Sequence, residues 1–319
     1  MAEKSRDLRI AALTRFAIAI TLLNVAGHLW LGFEQSLAHP LVGIAAAYST
    51  ELLLETIDAW AYRRRARYAG GLRSFILFLL PAHITGLATA MLLYTNARLM
   101  PIAFAAVVGI SSKYLFRVRI GTQQRHFFNP SNFGITITLL AFPWIGIAMP
   151  YMFTESLVSW GNWVLPMVMI AAGTTLNALF TKRVPLIVTW VTAFVLQAYI
   201  RSIVAGALFV PALMPMVGVA FILFTFYMVT DPATTPTTVR GQIMFGASVA
   251  MVYGLLVTNH VVFGMFFALS LVCLTRGVTV WVLDTIRSRA PAPGAVAMQR
   301  IPASQPMDRS VFVEIGQSK

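Results

Sequence analysis

Taking about twenty consecutive apolar residues as one membrane crossing, the chain offers about ten such runs. They lie near 11–33, 40–62, 74–95, 99–117, 132–152, 163–181, 184–206, 210–230, 241–258 and 260–284. Inside lipid a backbone must satisfy its own polar groups, and runs of this length do so as helices. The expected fold class is therefore all-α, a polytopic integral membrane protein. Composition agrees: 58% hydrophobic residues, 11% charged residues and a mean hydropathy of +0.76 over 319 residues leave too little polar surface to cover a soluble globule.

The net charge of +13 is placed as the positive-inside rule places it, in clusters between apolar runs. That argues for a lipid bilayer as partner and against nucleic acid. With alternating spans, Lys4, Arg6, Arg9, the run Arg63-Arg64-Arg65 with Arg67, Arg117, Arg119, Arg125, Lys182, Arg183, Arg240, Arg287 and Arg289 share one side, the cytoplasm. Only Arg98 and Arg201 fall near the opposite face. Both termini are then cytoplasmic. The first run has no small-residue cleavage site, so it reads as a retained span. Residues 1–10 form a cytoplasmic N-terminus, 11–284 the transmembrane domain, and 285–319 a cytoplasmic tail whose Pro291, Pro293, Pro302 and Pro306 among small and polar residues predict disorder. Ten spans divide naturally into two five-span halves of opposite orientation, although no internal sequence repeat is evident.

Three features interrupt the apolar pattern. In the second run Glu51, Glu55 and Asp58 stand at i, i+4 and i+7, which at about 100° per residue places all three on one helical face. An intramembrane acid costs about 2.5–3.5 kcal/mol on insertion scales, so a bundle-facing proton or ion relay is the default reading. Asp58, and with it Glu55, can instead lie at the cytoplasmic interface and pair with Arg63 or Arg64. Lys113, after Ser111 and Ser112, is placed either to neutralise one of these acids or to snorkel to the interface. His83, following Pro81 as an expected helix breaker, is a candidate for titration in a proton path. His28 reads as a bundle hydrogen bonder.

The other two interruptions are Arg125-His126-Phe127-Phe128-Asn129-Pro130-Ser131-Asn132-Phe133-Gly134 and Thr230-Asp231-Pro232-Ala233-Thr234-Thr235-Pro236-Thr237-Thr238. Each sets Pro beside residues that bond their own backbone, so neither is helix interior. Asn129 and Asn132 mark a helix start whose exposed N–H groups, with Arg125 and His126, suit a phosphate or carboxylate. Asp231, Thr234 and Thr235 offer polar groups before the next span. A simple cap and turn is the alternative for both. The single cysteine, Cys273, lies in an apolar run and reads as a small buried hydrophobe. It rules out disulfides, cysteine zinc sites and Cys-ligated iron–sulfur clusters, and the five scattered histidines supply no close ligand pair, so no metal is expected. Walker, dinucleotide-binding and serine-nucleophile motifs are absent from the sequence.

Phe128-Asn129-Pro130 after a cytoplasmic Arg cluster, paired with Thr230-Asp231-Pro232, Pro236, Arg240-Gly241-Gln242 and Phe245-Gly246, resembles the RnfD/NqrB family of membrane electron-transport subunits. The likeness covers about 15–280. Leu80-Pro81-Ala82-His83-Ile84-Thr85-Gly86-Leu87 and the 51–65 segment look closer to the stand-alone, UnbU-type members associated with enediyne biosynthesis. The resemblance implies a bacterial inner-membrane protein of about ten helices, flavin-linked electron transfer or coupled ion movement, and electron-transport or biosynthetic proteins as partners at the cytoplasmic face. It assigns Arg125, His126, Asn129, Asn132, Asp231, Thr234 and Thr235 to the cofactor, and Glu51, Glu55, Asp58, His83 and Lys113 to an ion or proton relay. One departure bears on the cofactor. Family members attach FMN through a Ser/Thr-Gly-Ala-Thr motif, where this chain has Thr154-Glu155-Ser156-Leu157-Val158-Ser159-Trp160-Gly161-Asn162-Trp163. Noncovalent FMN or riboflavin is therefore expected, not covalent flavin. The rival readings are a proton-coupled transporter or resistance protein for a hydrophobic metabolite, and a membrane assembly protein without redox activity.

Overall fold

The computed structural model describes residues 2–120, 123–149 and 153–289. The expected disordered tail, from 290 onward, lies outside the described residues. The described chain is overwhelmingly helical. In order it forms α1 (Ala2–Ala26), α2 (Ala38–Ala61), α3 (Leu72–Leu92), α4 (Met100–Leu115), α5 (Pro130–Ala141), α6 (Gly161–Leu176), α7 (Val184–Val204), the short α8 (Phe209–Leu213) and α9 (Val219–Leu223), α10 (Val239–Thr258) and α11 (Gly264–Arg289). Among the described residues, six stretches are long and apolar enough to cross a bilayer: Ile10–Leu31, Leu72–Leu92, Gly161–Thr181, Val184–Val204, Val239–Thr258 and Gly264–Ile286. In the most apolar window of Gly161–Thr181, and again of Val184–Val204, only 17% of residues are buried, so their apolar faces turn outward as lipid contact requires.

Two helices end in the same unusual way. α1 widens into a π turn, Gly27–Leu31, and stops at Gly32 with φ +77°, after which the Phe33 N–H reaches back to Gly27 O at 2.9 Å. α6 widens into a π turn, Asn177–Thr181, and stops at Lys182 with φ +54°, after which the Arg183 N–H reaches Asn177 O at 3.0 Å. Both closures satisfy helix-end carbonyls with a left-handed residue.

Three expectations are corrected. The run 210–230 is not one straight helix: Phe209–Val217 and Val219–Met228 meet at 70°. Pro215 removes an N–H, and Gly218 is extended with φ −83° and ψ 141°, so the helix cannot continue through them. The run 132–152 is helical only to Ala141, because Pro143 drives Phe142 out of the helical region, to φ −127° and ψ 81°. Beyond it, β4 (Gly146–Ile147) pairs antiparallel with β1 (Leu93–Tyr94), clasping the far end of α3. Pro81 does not break its helix: α3 runs unbroken from Leu72 to Leu92. The Thr85 hydroxyl donates to Pro81 O at 2.9 Å, and packed neighbours hold the turn, as is usual for proline inside a membrane bundle.

Helices α2 to α5 pack as one group, and α7, α10 and α11 as another. In the first, Gly43 and Gly86 let the α2 and α3 backbones touch; a Cβ on Gly43 would lie 2.5 Å from Gly86 O. Aromatic rings fill the second, where Trp190 touches Phe194, Tyr253 and, from α9 and the turn after it, Phe221 and Phe224. A short hairpin of β2 (Arg117–Ile120) and β3 (Gln123–His126) links α4 to α5.

Candidate functional site

The acidic face of α2 turns inward. The Glu51 and Glu55 side chains are 2% and 0% exposed. Lys113 Nζ lies 2.5 Å from Glu51 Oε2, and the Tyr114 hydroxyl donates to Glu51 Oε1 at 3.0 Å. Glu55 accepts from Arg64 Nη1 at 2.6 Å, from Arg67 Nη2 at 2.5 Å and Nε at 2.8 Å, and from the Arg67 backbone N–H at 2.8 Å. Asp58 pairs with Arg64 and, at 3.1 Å, with Arg117. Arg67 also donates to the Tyr114 hydroxyl at 3.3 Å, closing the set into one ladder from the α2–α4 contact to the α2–α3 loop. Hydrogen bonds to Glu55, then to Asp58, hold the Arg64 guanidinium above its ordinary value. Buried charge at this depth is tolerable only when paired in this way.

Of the expected relay residues, the structure joins Glu51, Glu55, Asp58 and Lys113. Asp58 finds Arg64, as its interfacial reading anticipates, and Arg117 as a second partner. His83 stands apart from the acids: its Nδ1 meets the Tyr48 hydroxyl at 2.9 Å and its Nε2 meets Thr21 Oγ1 at 2.8 Å. Sequence reasoning did not single out Arg67, Arg117 or Tyr114 as partners. Lys113 and Arg117 were the available signal, two cations four apart at the end of the run 99–117, although Arg117 lies on β2, beyond the end of α4.

The two proline-containing segments meet. Asn129 is the N-cap of α5: its Oδ1 accepts from the Asn132 N–H at 3.0 Å, while its Nδ2 donates to Met228 O and to Asp231 Oδ2, each at 3.4 Å. Asp231 folds its own loop, accepting at Oδ1 from the Ala233 N–H at 3.0 Å and at Oδ2 from the Thr234 hydroxyl at 3.4 Å, and Thr235 donates to Asp231 O at 2.7 Å. Thr238 then caps α10, accepting from the Gly241 N–H at 3.2 Å.

Two cations that the sequence reading did not assign to this site hold the loop from below. Arg183 donates to Pro236 O and, at 3.5 Å, to Pro232 O; Arg276 donates to Thr234 O at 2.5 Å. Arg183 is 3% exposed, and its Nε is buried without a hydrogen-bond partner, as is Gln242 Oε1. Burial lowers the Arg183 guanidinium from its ordinary value, Asp231 opposes that, and Arg276 and Arg125 push it further down. Arg276 was legible as a lone cation inside an apolar run.

One expectation about this site is corrected. The α5 start presents fewer open N–H groups than expected, because Pro130 has none, Asn129 Oδ1 takes that of Asn132 and Asn129 O that of Phe133. Asn132 is 1% exposed, and its amide donates to Phe266 O at 3.0 Å and Ser270 Oγ at 2.9 Å, so it ties α5 to α11. Arg125 and His126 sit on β3, opposite Val118 and Arg117. No protein-family model matches the chain, and no curated protein matches it either.

Proposed function

We propose that the chain is an RnfD/NqrB-type protein of the bacterial inner membrane that acts in flavin-linked electron transfer or ion movement coupled to it. In this reading it has about ten crossings, arranged as two five-span halves of opposite orientation, with both termini cytoplasmic. The matched π-turn endings of α1 and α6, the first helix of each half, support that division. The observation that carries the functional reading is the meeting of the two motif segments at Asn129 and Asp231, about a hundred residues apart in sequence, over the buried Arg183.

The residues fit an anionic cofactor. Arg183, Arg276 and Arg125 exceed the one nearby acid, Asp231, and Arg183 Nε is a buried donor with no protein acceptor. Arg183 and Arg276 would hold the flavin phosphate, with Thr234 and Thr235 beside it. Bound there, flavin supplies one- and two-electron carrier chemistry. The chain's part is to position it and exclude water. With no Ser/Thr-Gly-Ala-Thr motif, attachment is noncovalent. Gently purified protein should show a flavin absorbance band near stoichiometric amount that acid precipitation releases completely. Arg183→Gln should lose most of it. Flavin-free native protein defeats this reading, and a fluorescent covalent band on a denaturing gel defeats the noncovalent part.

The Glu51–Lys113 pair favours a second reading, proton-coupled transport of a hydrophobic metabolite. Substrate-dependent proton flux in proteoliposomes, lost on Glu51→Gln with Glu55→Gln, supports it; no such flux removes it.

A further inference from the structure

A groove of about 480 Å³ opens on the outer face of the bundle between α1 and α3, with Tyr48 of α2 in its floor. Its walls are apolar. Ile18, Leu22 and Ile76 are 54%, 63% and 51% exposed, on helices that face lipid. Its volume falls in the range of small-molecule pockets, about 300–1,000 Å³. The polar side chains that line it are Thr14, whose hydroxyl donates to Ile10 O at 2.9 Å, and a linked set of Thr21, Tyr48 and His83, none of them in the ladder of acids and arginines.

The protons of this triad can be assigned in sequence. Ala17 O can only accept, and Thr21 Oγ1 lies 2.7 Å from it, so we assign the Thr21 proton to that bond. The contact of Thr21 Oγ1 with His83 Nε2 at 2.8 Å then requires Nε2 to be the protonated nitrogen. A neutral imidazole with Nε2–H has a bare Nδ1, which accepts from the Tyr48 hydroxyl at 2.9 Å. All three side-chain protons are thereby spent, one on Ala17 O and two inside the triad. What remains toward the groove is acceptor capacity alone, the lone pairs of the Tyr48 and Thr21 oxygens. A phospholipid acyl chain leaves these unsatisfied. An ester or ketone oxygen, itself only an acceptor, is repelled by them.

We infer that the groove is a binding site for a membrane-soluble small molecule that carries a hydroxyl, held by donation of that hydroxyl to the Tyr48 oxygen. The hydrogen-bond complementarity commits the site to a donor, and the opening toward lipid commits the ligand to arrive from the bilayer. Binding here is independent of whether the chain holds flavin or moves ions.

The test uses full-length protein in phosphatidylcholine nanodiscs and two matched probes, a long-chain alcohol bearing a diazirine and an alkyne, and its methyl ether. After photolysis, peptides from α1 and α3 that line the groove should carry the alcohol roughly threefold to tenfold more than the ether, the effect of about one net hydrogen bond. Tyr48→Phe should reduce alcohol labelling to the level of the ether. Leu22→Trp, which fills the mouth and leaves the triad intact, should reduce labelling by both probes. Equal labelling of the wild type by alcohol and ether, or alcohol labelling unchanged in Tyr48→Phe, would overturn the assignment and leave an acyl-chain groove.

Discussion

At the scale of single residues, Glu51 and Lys113 illustrate how charge is retained inside a helix bundle, since Glu51 is buried, Lys113 is only 13% exposed and each is the other's direct partner. Removing one leaves the other stranded, at a cost of about 3–5 kcal/mol for a buried pair. Lys113→Met should therefore lower the unfolding temperature of detergent-purified protein markedly, and Glu51→Leu added to it should restore most of the loss. A Lys113→Met protein as stable as wild type would refute the pairing. The three α2 acids were legible because their cost in lipid is large and their spacing fixes one face. Their partners were less legible, because Arg67 lies beyond the helix and reaches Glu55 only through the fold of the α2–α3 loop. Asn132 was misread for a related reason: cap chemistry marks a helix start without telling whether it faces solvent or, as here, the carbonyl of Phe266.

At the scale of elements, close helix contact depends on what is missing from the side chains. Gly43 and Gly86 face each other so tightly that neither has room for a Cβ. Gly86→Leu should wedge α2 from α3 and destabilise by at least the about 1–3 kcal/mol of ordinary overpacking, seen as a lower unfolding temperature or loss of monodisperse protein. Gly71→Ala, at a position with open space around it but φ +92° and ψ 177°, should cost backbone strain alone, about 1–3 kcal/mol, with no wedge between helices. Among the described residues, six of the ten runs that hydropathy marked are helices long and apolar enough to cross, because apolar length is what lipid demands. Hydropathy overran α5 and missed the 70° break after Val217, since a sliding average does not register Phe142-Pro143 or Pro215 with Gly218. Reading proline as a breaker made the opposite error at Pro81, where tertiary packing overrides it.

For the whole molecule, the orientation is the prediction with the widest reach. Cys273 is 1% exposed, so cysteines introduced elsewhere report without background. In intact cells, cysteine at Asn162 or Asn259 should react with a membrane-impermeant maleimide, and cysteine at Arg63 or Lys182 should react only after lysis. Labelling at Arg63 from outside would invert the arrangement of basic residues on which the orientation rests. The brevity of α5 has a consequence of its own. With twelve residues it rises about 18 Å, against a hydrocarbon core of about 30 Å, and its neighbour α4 with sixteen rises about 24 Å. If the pair crosses the bilayer, as the proposed ten-crossing arrangement has it, the low-dielectric barrier would be thinner there than beside the longer helices, and the membrane voltage, worth about 2.3 kcal/mol per unit charge for each 100 mV, would drop over a shorter path. A charge that moves along the α4–α5 contact would feel most of that voltage within a few helical turns.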